Sequence, residues 1–135
     1  GNRNVERLEQ LMAVVHAMPG GDCAEAFALD KPPLGLAEQG VLVNATSLGL
    51  KESDPAPFDV QLLPKKWVVY DMIYNPNVTR LLRDARLQGL RAANGLSMLV
   101  HQGVRSLEIW SHAKVDTHAM TRAATHALGL PPRHG

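Results

Sequence analysis

The chain is short of most features that announce a specialised chemistry. One cysteine, Cys23, among 135 residues allows no internal disulfide, which fits a reducing, cytosolic setting. Two Tyr, two Phe and two Trp offer no stacking platform, and a formal net charge of +1 offers no basic stripe. Nucleic acid is therefore not an expected partner. No apolar run reaches the length of a bilayer span, and the N-terminus lacks the charged-then-apolar layout of a secretion signal, so no membrane contact is expected. The six histidines include no His-x-x-x-His pair, and a lone thiol adds no thiolate set, so no metal site is expected. No Ser-His-Asp or Cys-His order suggests hydrolysis. Internal repeats and low-complexity tracts are absent.

What remains is the composition of one ordinary globular domain, 45% hydrophobic and 20% charged. Val5, Leu8, Leu11, Met12 and Val15 recur at helical spacing in NVERLEQLMAVVHAM, which PGG at residues 19–21 stops. CAEAFAL at 23–29 reads as a short strand, and PPLGLAEQG at 32–40 as a loop with one helical turn. VLVNATS at 41–47 and WVVYDMIY at 67–74 are β-branched runs, the second ended by Asn75-Pro76. NVTRLLRDARLQG at 77–89 predicts a helix with Thr79 or Asn77 near its start and Gly89 as its C-cap. LRAANG at 90–95 predicts one more strand, followed by helices from about Gly95 to Trp110 and from about Asp116 to Leu128, the last stopped by GLPP at 129–132. Alternating strands and helices predict an α/β fold, a parallel sheet with covering helices. Strands apolar along their whole length are expected to be buried on both faces.

In open parallel sheets, ligands collect at the carboxyl ends of the strands. Those ends here are NATS at 44–47, YDMIYNP at 70–76 and ANG at 93–95. Each could serve merely as a turn or cap, but small and hydrogen-bonding residues at three successive ends point to a site.

VLVNATSLGL, VVYDMIYNP, TRLLRDARLQG and NGLSMLVHQGVRSLEIW, in this order and spacing, resemble the C-terminal half of shikimate dehydrogenase, with the resemblance running from Asn2 to about Leu128. It implies a partial Rossmann-like doubly wound parallel sheet with covering helices. It also implies an NADP-dependent oxidoreductase interconverting shikimate and 3-dehydroshikimate on the way to chorismate and the aromatic amino acids. By the same resemblance, Asn2, Arg3, Asn4 and Arg7 form the segment that grips the adenosine 2′-phosphate. Arg3 and Arg7 carry the charge, and Asn4 stands where the family has threonine. A planar guanidinium can donate two parallel hydrogen bonds to phosphate oxygens, and a helix N-terminus adds partial positive charge. The resemblance further places Thr46 and Ser47 along the cofactor channel, Met72 near the nicotinamide, and Gly95 where a missing Cβ admits close approach. Tyr74 and Gln102 are implied to bind substrate. Asp71 is expected to fix backbone or a turn rather than act as a base.

A dinucleotide fold normally opens with a strand and a Gly-x-Gly-x-x-Gly turn, and none is present here. The family's catalytic lysine and aspartate are also missing. The chain is therefore expected to be the nucleotide-binding domain over residues 1–135, incomplete at its N-terminus, a fragment inactive on its own. With the usual first strand gone, VLVNATS is expected to expose an apolar edge, and the strand at 23–29 to lack a neighbour. Self-association through that edge, or origin as a piece of a longer protein, is the expected consequence. A non-catalytic nucleotide-binding or interaction module, and a quinate- or NAD-preferring relative, stand as alternatives.

The helix from Gly95 raises one further expectation. At about 3.6 residues per turn, Leu96, Leu99, Val100, Leu107 and Trp110 form its core face with Val104 at the margin. His101 falls on the solvated side, and Gln102 beside Met98 and Ile109 on a flank of the apolar arc.

Overall fold

The computed structural model describes residues 1–33 and 35–131. It resolves into two compact units, Gly1–Ala37 and Glu38–Gly135.

In the first unit, helix α1 spans Val5–His16. Asn4 caps it: the backbone at Asn4 is extended, and its side-chain oxygen accepts from the Arg7 amide at 2.9 Å, satisfying one of the helix's free donors. Of the five residues in the apolar stripe only Leu8 is buried, while Val5 and Leu11 are 51% and 57% exposed. The strand expected at 23–29 does not form. Its only ladder contact is an isolated parallel bridge between Asn2 and Ala28, because the opposing segment turns at once into the Asn4 cap and offers no length to pair with. The helical turn expected at 32–40 is likewise absent among the described residues. Pro32 and Pro33 stand where that turn would begin, and proline fixes its own φ and biases the preceding residue away from helix.

The second unit is built on a parallel sheet of β1 (Val41–Asn44), β2 (Val68–Asp71) and β3 (Arg91–Asn94), in the order β1-β2-β3. The strands end level, with Asn44 opposite Asp71 and Asp71 opposite Asn94. β2 stops at Asp71 rather than at Tyr74, since the side chain of Asp71 takes the Ile73 amide that a longer strand would need for pairing. Full burial on both faces is not reached: in β2 Val69 and Asp71 on one face are 0% exposed while Val68 and Tyr70 on the other are half-buried, and in β1 Val41 and Val43 are 60% and 52% exposed.

Helix α2 (Arg80–Leu87) starts at Thr79, whose hydroxyl accepts from the Leu82 amide. It buries Leu81, Leu82 and Ala85 and contacts β2 and β3. Each buried leucine contributes about 2 kcal/mol. The helix closes with the Leu90 amide on the Ala85 carbonyl and the Gly89 amide on the Arg86 carbonyl. That reciprocal pattern needs a left-handed residue, supplied by Gly89 at φ +75.

Helices α3 (Leu96–Ser111) and α4 (Thr117–Ala127) pack on one another. Leu96, Val100 and Val104 form their buried seam, with Leu99, Met120 and Ala124 beside it. The core face of α3 is thus rotated from the expected arc: Val104 is central, whereas Leu107 and Trp110 are 39% and 76% exposed. α4 lies over the Val104 side and leaves Trp110 uncovered. Pro132, part of the expected stop after α4, lies outside the described residues.

Candidate functional site

The three level strand ends carry Asn44, Asp71 and Asn94, all buried. A buried polar side chain must find partners, and each of these does. Asn44 donates from Nδ2 to the Leu48 carbonyl and to Asp71 Oδ1, both at 3.0 Å. Its Oδ1 accepts from the Thr46 amide at 3.0 Å and the Thr46 hydroxyl at 2.8 Å. Asp71 Oδ1 also accepts from the Ile73 amide at 3.1 Å, and Oδ2 accepts from the Thr79 hydroxyl at 2.6 Å. Asn94 donates to Asn77 through both the carbonyl and the side-chain oxygen and accepts from the Leu96 amide at 3.2 Å, which caps α3. These three residues therefore do structural work, as expected for Asp71.

The residues just beyond them shape an opening. A groove of about 400 Å³ is lined by Ala45, Thr46, Leu50, Met72, Ile73, Tyr74 and Asn75. It brings together three residues singled out from the sequence: Thr46 from the turn after β1, and Met72 and Tyr74 from the turn after β2. Met72 and Tyr74 are 38% and 37% exposed, so each presents a face to it. Thr46 is held on both sides, its hydroxyl donating to Asn44 and accepting from the Leu48 amide at 3.1 Å. Ser47 is exposed and outside the lining.

Gly95 sits directly behind Met72. Its amide donates to the Ile73 carbonyl at 3.2 Å, and a Cβ there would lie 2.0 Å from the Met72 carbonyl oxygen. The demand for glycine thus comes first from the chain's own backbone.

Gln102 is not gathered into the groove. It is exposed, and its Nε2 donates to the Leu99 carbonyl at 2.9 Å on its own helix. Because the buried seam of α3 centres on Val100 and Val104, Gln102 stands on the exposed side together with Met98 and Ile109, rather than on a flank of the core. His101 is exposed as expected.

In the first unit, Asn2, Arg3, Asn4 and Arg7 are all exposed. The asparagines are committed to local structure, Asn2 Oδ1 accepting from the Asn4 amide at 3.0 Å and Asn4 Oδ1 from Arg7. Threonine at position 4 could cap in the same way, so the exchange preserves this role. Neither Arg3 nor Arg7 is found in an ion pair among the described residues. Two guanidinium groups at the start of a helix are therefore available to an anion.

Sequence reasoning missed Leu50 as groove lining, and the link from Thr79 through Asp71 to Asn44; Asn75 lay within the strand-end stretch at 70–76 without being singled out. Thr79 and Asp71 were each visible as a cap and a strand end, but nothing local shows that they touch.

A parallel sheet whose carboxyl ends open into a groove is the arrangement of one half of a doubly wound nucleotide-binding domain. Comparison with known proteins narrows this class. Residues 95–125 match the family model of the shikimate 5′-dehydrogenase C-terminal domain. The NADP(+) shikimate dehydrogenase of Rhodopseudomonas palustris strain TIE-1 is 39% identical over 93% of this chain, which covers 44% of that protein. Among solved structures, the shikimate 5-dehydrogenase of Thermus thermophilus in complex with NADP(H) and shikimate has a TM-score of 0.60 at 38% identity, over 65% of this chain and 34% of that one. The ligand-free 5-ketofructose reductase of Gluconobacter sp. strain CHM43 has a TM-score of 0.68 at 30% identity, over 93% and 46%. The chain is thus similar to part of the shikimate dehydrogenases, its residues 95–125 to their C-terminal domain, and it spans less than half the length of the curated relatives it matches.

Proposed function

We propose that this chain forms the cofactor side of an NADP-dependent oxidoreductase that interconverts shikimate and 3-dehydroshikimate in aromatic amino acid biosynthesis. The observation that carries the reading is the groove at the ends of β1 and β2, where Thr46, Met72 and Tyr74 meet beside Gly95. Each unit, taken by itself, holds residues suited to a part of NADP. In the first unit, the unpaired Arg3 and Arg7 suit the adenosine 2′-phosphate, with Asn2 and Asn4 shaping the backbone around them. In the second, Met72 offers an apolar face for a nicotinamide ring and Thr46 borders it, with the exposed Ser47 next along the same turn, outside the groove lining. When bound, NADP supplies the hydride acceptor. Tyr74 and Gln102 orient a polyhydroxy acid, Gln102 exchanging its bond to Leu99 for one to substrate. We assign the handling of the hydroxyl proton to no residue of this chain and expect the 135 residues alone to be inactive. We place the reaction in the cytosol, where a lone exposed thiol such as Cys23 stays reduced. The open β1 edge is proposed to pair with a second copy in the isolated chain.

The test is steady-state kinetics of the full-length polypeptide with shikimate. Arg3→Ala is expected to raise the KM for NADP about tenfold while leaving NAD unaffected. Gln102→Ala is expected to lower kcat/KM for shikimate about tenfold or more, and His101→Ala less than about twofold. Unchanged NADP use, or equal effects at 101 and 102, would overturn these assignments.

The structural match to the 5-ketofructose reductase, which extends over more of this chain than the shikimate dehydrogenase match, favours a second reading. In it the same groove serves another polyol or ketone, with quinate and NAD as the nearest variants. Turnover of quinate or 5-ketofructose, with shikimate untouched, would establish it.

A further inference from the structure

We propose that Asp71 is a positioning residue that ties the two walls of the groove to each other and to the start of α2. Thr46 and Met72 would then be placed against the bound nicotinamide end by a carboxylate that touches neither. The inference rests on the reading of the groove as the nicotinamide side.

Asp71 is 0% exposed and, among the described residues, is paired with no cation. Its hydrogen bonds come instead from three separate segments: the Asn44 side chain at the end of β1, the Ile73 amide in its own turn, and the Thr79 hydroxyl before α2. A residue needed only to shape its turn would use the Ile73 contact alone. The other two reach across 27 and 8 residues of sequence.

The direction of these bonds matters more than their number. An ionised carboxylate only accepts, whereas a carboxamide both donates and accepts, so the partner decides which way the amide faces. Asp71 obliges Asn44 to present Nδ2 toward it. The Asn44 Oδ1 is thereby turned to Thr46, where it receives both the amide and the hydroxyl. Were the Asn44 amide reversed, its NH₂ would face the Thr46 N–H, two donors with no acceptor between them. Thr79 works from the other end. Its hydroxyl accepts from the Leu82 amide and is left to donate to Asp71. The polarity thus runs from the cap of α2 through Asp71 and Asn44 to Thr46. Asn94, in the same row, takes no part, since its bonds go to Asn77 and Leu96. This makes the start of α3 an internal control.

The experiment uses the 15N-labelled chain, its Thr79→Val, Thr79→Ser and Asp71→Asn variants, amide hydrogen exchange, and titration with NADP followed by amide shifts. Thr79→Val keeps the shape and removes the hydroxyl. It is expected to speed exchange at Thr46 and Leu48 roughly tenfold, the scale of one net hydrogen bond, and to weaken the NADP response at Thr46 by a similar factor. Leu96 is expected to stay within about twofold, and Thr79→Ser to restore both readouts. Asp71→Asn should exceed Thr79→Val at the same amides; if that variant does not fold, the Thr79 pair decides. An effect of Thr79→Val that stops at Leu82, with Thr46 exchange and NADP response unchanged, would overturn the proposal. Absence of any NADP response in the parent chain would overturn the groove reading instead, and the exchange comparison would then decide alone whether Asp71 couples the two walls.

Discussion

β1 and β2 are close to interchangeable as amino acids, Val-Leu-Val-Asn against Val-Val-Tyr-Asp, and they lie in register. Their surroundings differ. Position by position in the register β1 is the more open strand: Val41 and Val43 are 60% and 52% exposed where Val68 and Tyr70 opposite them are half-buried, and Leu42 is half-buried where Val69 is 0% exposed. β2 has a strand on either side and α2 against it; within the sheet, β1 has a neighbour on one side only. A β-branched run favours extended backbone, but whether the strand is central or marginal is decided by what else packs there. The difference teaches that the face of β1 carrying Val41 and Val43 is apolar surface left uncovered on a marginal strand.

The largest effect that tests this contrast is on stability. Val69→Ala is expected to cost about 2 kcal/mol, from lost burial and the cavity left behind. Val43→Ala is expected to change stability by less than about 0.5 kcal/mol, as for an exposed position. Chemical denaturation of both variants measures the pair, and equal losses would show that β1 is buried in solution and break the comparison.

A smaller effect concerns association. Val41→Lys combined with Val43→Lys places two charges on the free edge, a device that keeps sheet edges from pairing. The double variant is expected to keep its denaturation midpoint and to move from dimer to monomer in analytical ultracentrifugation. A parent chain that is already monomeric, or a double variant that stays dimeric, would remove β1 from the interface.

The same contrast explains what was legible in the sequence. Features set by neighbouring residues were readable: the Thr79 cap, Gly89 after α2, the start of α4 at Asp116, and the alternation of strands and helices. Features set by distant residues were not. The run at 23–29 has strand-like residues but meets only Asn2 at a single bridge, and a strand without a ladder is not a strand. Helical spacing outlined an apolar arc on α3, yet α4 covers the Val104 side of it and leaves Trp110 out. Thr46, Met72 and Tyr74 lie along one groove because each follows a strand end and the strands end level. Leu50, beyond every strand-end stretch, joined them through loop geometry that no spacing encodes, and Gln102 lies apart because its helix turned a different face inward.

The smallest expected effect contrasts two aspartates that both accept backbone amides, Asp71 at a buried strand end and Asp116 at the exposed start of α4. Asp116 Oδ1 accepts from the His118 and Ala119 amides at 2.8 and 3.2 Å. These bonds, that from Ala119 first and that from His118 second, hold its carboxyl below the ordinary value of 3.8, with the charges of Arg122 and His118 assisting. A carboxyl whose value is lowered by folding adds stability that is present above 3.8 and is lost as the pH falls through the lower folded value. Asp116→Asn keeps an oxygen for the cap, since asparagine caps as well as aspartate, but it cannot titrate. The difference in Tm between the parent chain and Asp116→Asn is therefore expected to favour the parent near neutrality and to shrink as the pH is taken below 3.8 and through the lower folded value. A difference that is constant with pH would mean that the Asp116 charge contributes nothing to holding α4 in place.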